Sequence, residues 1–156
     1  MKFGALDRID RQLLRLLQKD GRMSNVDLAA RVHLSPAACL ERVRALSGAG
    51  FIRGFHARLD PASVEAGMLV FVQVVLDRTT PDVFDAFRSA VHARPEILEC
   101  HMIAGGFDYL LKARVKDMRA YREFTASAVW ALPGVRETHT YVVMEEVKET
   151  AELPLT

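Results

Sequence analysis

A serine, a proline, two alanines, one acid and two arginines fall within ten residues, in the run Ser35-Pro36-Ala37-Ala38-Cys39-Leu40-Glu41-Arg42-Val43-Arg44. Ser-Pro opens a helix, because the hydroxyl can accept from a free N–H of the first turn and proline lacks an N–H that has no partner there anyway. With Leu40, Val43 and Leu46 as the buried stripe, Ala37, Ala38, Glu41, Arg42 and Ala45 turn outward. A guanidinium on such a face bonds phosphate oxygens or the O6 and N7 of guanine, and alanine methyls pack on thymine methyls. The chemistry is recognition, with no bond made or broken.

Ser24 begins another helix upstream, with Asp27 at its third position and only Val32, His33 and Leu34 between the two helices. Helices that close in sequence must cross steeply, which lets one enter the DNA major groove while the other braces the backbone. Ser24 and Asn25 stand where free N–H groups and the helix dipole favour a phosphate. The expected DNA-contacting set is Ser24, Asn25, Arg31, Ser35, Pro36, Ala37, Ala38, Glu41, Arg42 and Arg44, with Arg53 and Arg58 adding charge. A preceding helix follows from Leu6, Ile9, Leu13, Leu14, Leu16 and Leu17, with Asp7 as cap, Asp10 three residues on and Gly21 as stop. After Gly50 an extended run from Phe51 through Leu59 is expected to form a wing beside the helices.

Charge divides the chain. Residues 1–60 carry 11 Lys and Arg against 6 Asp and Glu, a formal +5, whereas residues 61–156 carry 10 against 14, or −4. A basic front suits a polyanion, and an acidic rear implies a different task. The histidines 33, 56, 92, 101 and 139 form no nucleophile–base or metal-ligand pattern, so neither a catalytic nor a metal site is expected. Cys39 and Cys100 lie far apart and read as buried thiols. No apolar run reaches the roughly 18 residues of a membrane span and no signal pattern opens the chain, which implies a cytoplasmic protein.

Pro61 to Gly67 reads as a hinge, and from Met68 the pattern changes. Strands are expected at Met68–Leu76, Ile97–Ile103, Asp108–Val115 and Arg136–Met144. Helices are expected at Pro81–His92, with Val83, Phe84, Phe87 and Val91 inward, and at Met118–Leu132, with Tyr121, Phe124 and Ala128 inward. The order βαββαβ is ferredoxin-like. The fold class is therefore α+β: a winged helix-turn-helix at 1–60, a linker at 61–67, a ferredoxin-like domain at 68–147 and a frayed tail at 148–156. The first strand is apolar on both faces while both helices cover one side of the sheet, so a second copy of the sheet is the expected cover and a homodimer follows. In the loop Ala104-Gly105-Gly106-Phe107-Asp108-Tyr109 the glycines can offer N–H groups to a carboxylate and Asp108 can take an ammonium; a plain hairpin explains the same glycines.

The segments LDRIDRQLLRLLQKDGRMSNVDLA, LSPAACLERVRAL, FDYLLKARV and LPGVRETHTYVVMEEVK resemble the Lrp/AsnC family of transcription regulators, also called feast/famine regulators. The resemblance covers nearly the whole chain. It implies DNA binding by the first domain, and a second domain that binds small effectors, usually amino acids, and assembles dimers into octamers or larger rings. It also implies an effector site drawn from Met102, Gly105, Gly106, Asp108, Met118, Thr140, Tyr141 and Val142, with leucine or another small apolar amino acid as ligand and no other cofactor. The chain departs from the family at His33, where glycine is usual, at Ala37-Ala38, where Thr-Pro is common, and at Gly106, where close relatives often carry an acid. Histidine tolerates a left-handed turn better than most side chains, so the fold should survive.

The reading is a cytoplasmic, nucleoid-associated regulator that binds double-stranded DNA and responds to an amino acid. One rival is an architectural protein that wraps DNA without a small-molecule response, for which Gly106 speaks. Another is a metabolite-binding or enzymatic ferredoxin-like domain with an incidental helical appendage, against which the +5 of the front half speaks.

Overall fold

A computed structural model describes residues 6–155, so residues 1–5 and 156 of the expected domains lie outside it. The chain divides into two compact units, one holding the residues up to Arg58 and those from Lys148 onward, the other Leu59–Val147.

The first unit is built from α1 (Arg8–Lys19), α2 (Asn25–Arg31) and α3 (Pro36–Gly48). Each begins on the cap its sequence dictates. Asp7 and Asp10 form a reciprocal capping box, the Ser24 hydroxyl accepts from the Asp27 N–H, and the Ser35 hydroxyl accepts from the Ala38 N–H with Pro36 in the first turn. Leu13, Leu14, Leu28, Ala29, Val32, Cys39 and Leu46 form the core. The buried stripe of α3 therefore runs through Cys39, half-buried Val43 and Leu46, whereas Leu40, expected inside, is 37% exposed. Between α2 and α3, His33 has φ 56°, the left-handed turn expected of it.

Two expectations for this unit fail. The run after Phe51 pairs with no strand among the described residues, so there is no wing; Phe51, Phe55 and Leu59 stay exposed, and the Phe55 ring stands over Gly21. The tail expected to fray is docked on α1 instead. Gln18 accepts from the Leu153 N–H at 2.6 Å and donates to the Leu153 carbonyl at 3.2 Å, and Arg15 donates to the Leu155 carbonyl at 2.6 Å. The Leu155 side chain packs against the core. A backbone held by two side-chain partners and one apolar anchor is ordered without secondary structure of its own.

The second unit runs β1 (Met68–Leu76), α4 (Pro81–His92), β2 (Ile97–Met102), β3 (Tyr109–Val115), α5 (Met118–Phe124) continued by a π-helical turn at Thr125–Val129, and β4 (Val135–Val142). All pairings are antiparallel in the order β2-β3-β1-β4, the ferredoxin-like arrangement. Side chains alternate along β1: Val70, Val72, Val74 and Leu76 pack with Phe87, Val91, Phe124 and Ala128 under the helices. Leu69, Phe71, Gln73 and Val75 take the other face. The Tyr109 ring stacks on Phe87 at 4.4 Å between centroids and fixes α4 over the sheet.

Two turn residues test this account. At Gly134 φ is +74° and an added Cβ would stand 2.5 Å from Val83 Cγ1, so Gly134→Ala should lower stability by at least about 1 kcal/mol. His33→Gly should instead raise it by roughly 0.5–1 kcal/mol, since it relieves a left-handed β-carbon. Thermal denaturation of the two variants against the parent chain checks both signs.

Candidate nucleic-acid and effector sites

On α3, Ala37, Ala38, Glu41 and Arg44 are exposed on the side away from Cys39 and Leu46. Arg44 donates to Glu41 at 2.9 Å, with both side chains about two-thirds or more exposed, a pairing that solvent screens and that costs little to break. Arg31 is exposed at the end of α2. Asn25, expected at a phosphate, donates its amide to the Pro36 carbonyl at 2.8 Å and so pins the start of α2 to the start of α3. Ser24 is occupied as a cap, its hydroxyl also donating to the Asp27 carboxylate at 2.6 Å. These contacts set the crossing of the two helices.

Arg42 does not stand outward as its helical position suggests. Its Nη1 donates to Asp7 Oδ2 at 2.7 Å and to Asp10 Oδ1 at 2.8 Å, folding the guanidinium back onto the start of α1. The Asp10 N–H and the Arg42 guanidinium hold the Asp7 carboxyl below its ordinary value, and the two carboxylates raise the pKa of Arg42.

The chain matches the AsnC-type helix-turn-helix domain over residues 6–47 and the Lrp/AsnC ligand binding domain over residues 69–153. It belongs to the Lrp/AsnC family. It is 57% identical to the leucine-responsive regulatory proteins of Klebsiella pneumoniae and of Escherichia coli K12 over 148 residues, which is 95% of this chain and 90% of each relative. Two solved structures superpose on it with a TM-score of 0.90. One is a Neisseria meningitidis transcriptional regulator in complex with L-Met, 38% identical, covering 96% of this chain and 97% of that one. The other is an AsnC family regulator from Agrobacterium tumefaciens, 34% identical, covering 95% and 96%. The chain is thus a transcription regulator of the Lrp/AsnC family, with a DNA-binding helix-turn-helix and a ligand-binding domain, and not an enzyme. No helix among the described residues is long and apolar enough to cross a membrane, and no group of His, Cys, Asp and Glu among them could hold a metal.

In this Lrp/AsnC chain the expected effector residues form two groups. Met102, Gly105, Gly106 and Asp108 lie in and beside the β2–β3 loop, where β3 opens opposite Val74. Met118 follows the other end of β3, and Thr140, Tyr141 and Val142 pair with Val72, Phe71 and Val70. The two groups occupy opposite halves of the sheet. Within the second group, Thr140 faces the helices, where the Tyr121 hydroxyl donates to it, while Tyr141 faces away and donates to Gln73 at 3.4 Å. Met102, Met118 and Tyr141 are each more than half exposed.

The loop joins two antiparallel strands as a hairpin, the plain reading its glycines also allowed, and closes on the Ile103 N–H donating to the Asp108 carbonyl. Neither Gly105 nor Gly106 has positive φ, and an added Cβ would meet only an ordinary contact at Gly105 and open space at Gly106. Asp108 ties the loop down: its Oδ2 accepts from the Leu76 N–H at 2.7 Å, its N–H donates to the Val74 carbonyl, and its carbonyl accepts from Ile103. Sequence reasoning missed this role, because Leu76 lies 32 residues away. It also missed a cavity of about 470 Å³ between α4 and β2, lined by Phe87, Arg88, His92, Cys100, Met102 and Tyr109 among others. Cys100 on that wall is half-buried, not buried as expected, and burial pushes its thiol up.

Asp108→Ala leaves the Leu76 N–H without its acceptor and should cost about 1–3 kcal/mol, whereas Asp108→Asn keeps an acceptor oxygen and most of the stability. Chemical denaturation of both variants measures the difference.

Proposed function

We propose that α3 enters the DNA major groove, and that an apolar amino acid, held between ligand-binding units of different copies of the chain, shifts the assembly those copies form. On α3, Ala37, Ala38, Glu41 and Arg44 meet base edges and phosphates, Ser35 and Pro36 lie at the groove-facing start, and Arg31 borders the footprint from α2. The work is done in the cytoplasm, at the nucleoid.

The division of the effector residues carries the second part of the reading. A pocket that uses both the Gly105–Asp108 loop and the Met118, Tyr141 and Val142 group needs two chains. In it the loop N–H groups receive a carboxylate, Asp108 the ammonium, and the exposed methionines and Tyr141 an apolar side chain. The L-Met bound by the Neisseria relative supports leucine or an amino acid of similar size.

Assembly begins at the open face of the sheet. Phe71, Val75 and Leu110 stand on its two central strands with Gln73 among them and Tyr141 beside Phe71 on β4, and acid–base pairs lie toward its edges: Glu99 with Lys112 at 2.8 Å and with His101 at 3.1 Å, and Glu137 with His139 at 3.4 Å. An apolar strip with charged margins suits a second copy related by a two-fold axis, which also presents two copies of α3 to paired half-sites. Dimers then associate into an octamer or larger ring.

Two measurements test this. Arg44→Ala should weaken binding to duplex DNA on any sequence and reduce the slope of log affinity against log salt by about 1, read from a salt titration. Screening the twenty amino acids for a rise in Tm, with molecular mass measured alongside, should single out an apolar one, since a ligand at a hundredfold its Kd adds about 2.7 kcal/mol to stability. Asp108→Asn should lose that rise while keeping the ligand-free Tm. No rise with any amino acid would make the chain an architectural DNA wrapper instead.

A further inference from the structure

We propose that Arg42 is a positioning residue: together with Asp7 and Asp10 it locks α3 to the start of α1 in the orientation that meets DNA, and it makes no DNA contact itself. The inference rests on the reading of α3 as the groove-entering helix.

The geometry leaves each carboxylate oxygen one defined duty. Asp7 Oδ1 accepts from the Asp10 N–H at 2.7 Å and Asp10 Oδ2 accepts from the Asp7 N–H at 3.2 Å, which closes the capping box. Asp7 Oδ2 and Asp10 Oδ1 remain, and Arg42 Nη1 takes both. The Asp10 side chain is only 10% exposed and stands beside Leu13, Leu14 and Ile9, where an unpaired carboxylate is costly. Its two partners, one from its own helix cap and one from α3, fit it to this place. The capping box is thus shared: the bonds that start α1 also aim the carboxylates that hold α3.

Charge points the same way. Two carboxylates face one guanidinium, so the Arg42 charge is already matched within the trio and offers a phosphate no surplus. To reach DNA, Arg42 would have to abandon both bonds and leave Asp10 buried and unpaired. Arg44 has no such tie among the described residues, where its ion pair is with an exposed Glu41. One turn of helix therefore carries two arginines with different tasks, one bracing from behind and one facing out. The brace acts at the middle of α3, next to Val43 and Cys39, and restrains rotation of the helix about its axis where apolar packing alone allows slippage.

The two roles for Arg42 predict opposite signs at its partners. If Arg42 braces, Asp10→Asn and Arg42→Ala should each weaken binding of the full chain to a mixed-sequence DNA duplex about fivefold or more, with the salt slope unchanged and the double variant no worse than the single ones. Arg42→Lys, which reaches one carboxylate, should recover part of the loss. Affinity is measured well below Tm, so that a variant damaged only in stability binds normally, and that result would overturn the proposal. So would a slope reduced by about 1 in Arg42→Ala, or tighter binding in Asp10→Asn, because freeing an arginine that reads DNA strengthens the complex. Where Asp10→Asn does not fold, Asp7→Asn keeps a cap acceptor, lies at a half-exposed position and predicts the same sign. Arg44→Ala in parallel judges the α3 reading separately: an unchanged slope there removes α3 from the groove, whereas the Arg42 and Asp10 variants judge the brace.

Discussion

The alternation of β1 is the constraint on which the ligand-binding unit depends. Nine nearly all apolar residues in an extended strand must send side chains to both faces, yet the two helices of a βαββαβ unit lie on one. Val70, Val72, Val74 and Leu76 are satisfied by that cover and form the centre of the core with Phe87 and Leu111. Leu69, Phe71 and Val75 cannot be. Part of the other face is closed from within the unit, where Arg114, almost fully buried, donates from Nη2 to both carboxylate oxygens of Glu146 at 2.7 Å. The remaining strip is what a second chain would cover in the proposed assembly, and it lies on the same strand that builds the core.

The edges of that sheet explain why the two groups of expected effector residues stand apart. β1 holds β3 on one side and β4 on the other, and the loop before β3 meets one end of β1 while the last residues of β4 meet the opposite end. Asp108 fastens the loop at the Leu76 end, its carboxylate accepting from the Leu76 N–H. A side chain with one structural bond, two residues from an exposed glycine, keeps a second carboxylate oxygen to spare, which is why truncation and charge removal at this position are different experiments.

In the helix-turn-helix unit the governing contacts are polar and few. Apolar packing of Leu13, Leu14, Cys39 and Leu46 brings the helices together, but such packing is tolerant of small rotations. Directional bonds remove that freedom: Asn25 to the Pro36 carbonyl at the turn, and Arg42 to Asp7 and Asp10 across the bundle. The tail adds Leu155 to the back of α1, far along the chain from the residues it supports.

What the sequence determined by itself was everything whose partner lies within a helical turn or a strand period. The caps at Asp7, Ser24 and Ser35 act over three residues, Pro36 acts on its own first turn, His33 had to accept a left-handed turn because only three residues separate two helices, and the alternation of β1 follows from period two. These were legible because a short loop leaves few geometries, and they sufficed for the order of elements and the two domains. Tertiary structure alone decided contacts between distant residues: Arg42 turned from solvent to acids 35 and 32 residues away, Asp108 to the Leu76 N–H, and the tail to Gln18, 135 residues earlier. It also exchanged Cys39 for Leu40 in the core of α3, gave the expected wing no partner strand among the described residues and split the expected effector residues between two halves of the sheet. The physical reason is common to all of them. A side chain's type states what bond it can make, but which partner it meets depends on packing directions that a one-dimensional pattern does not contain.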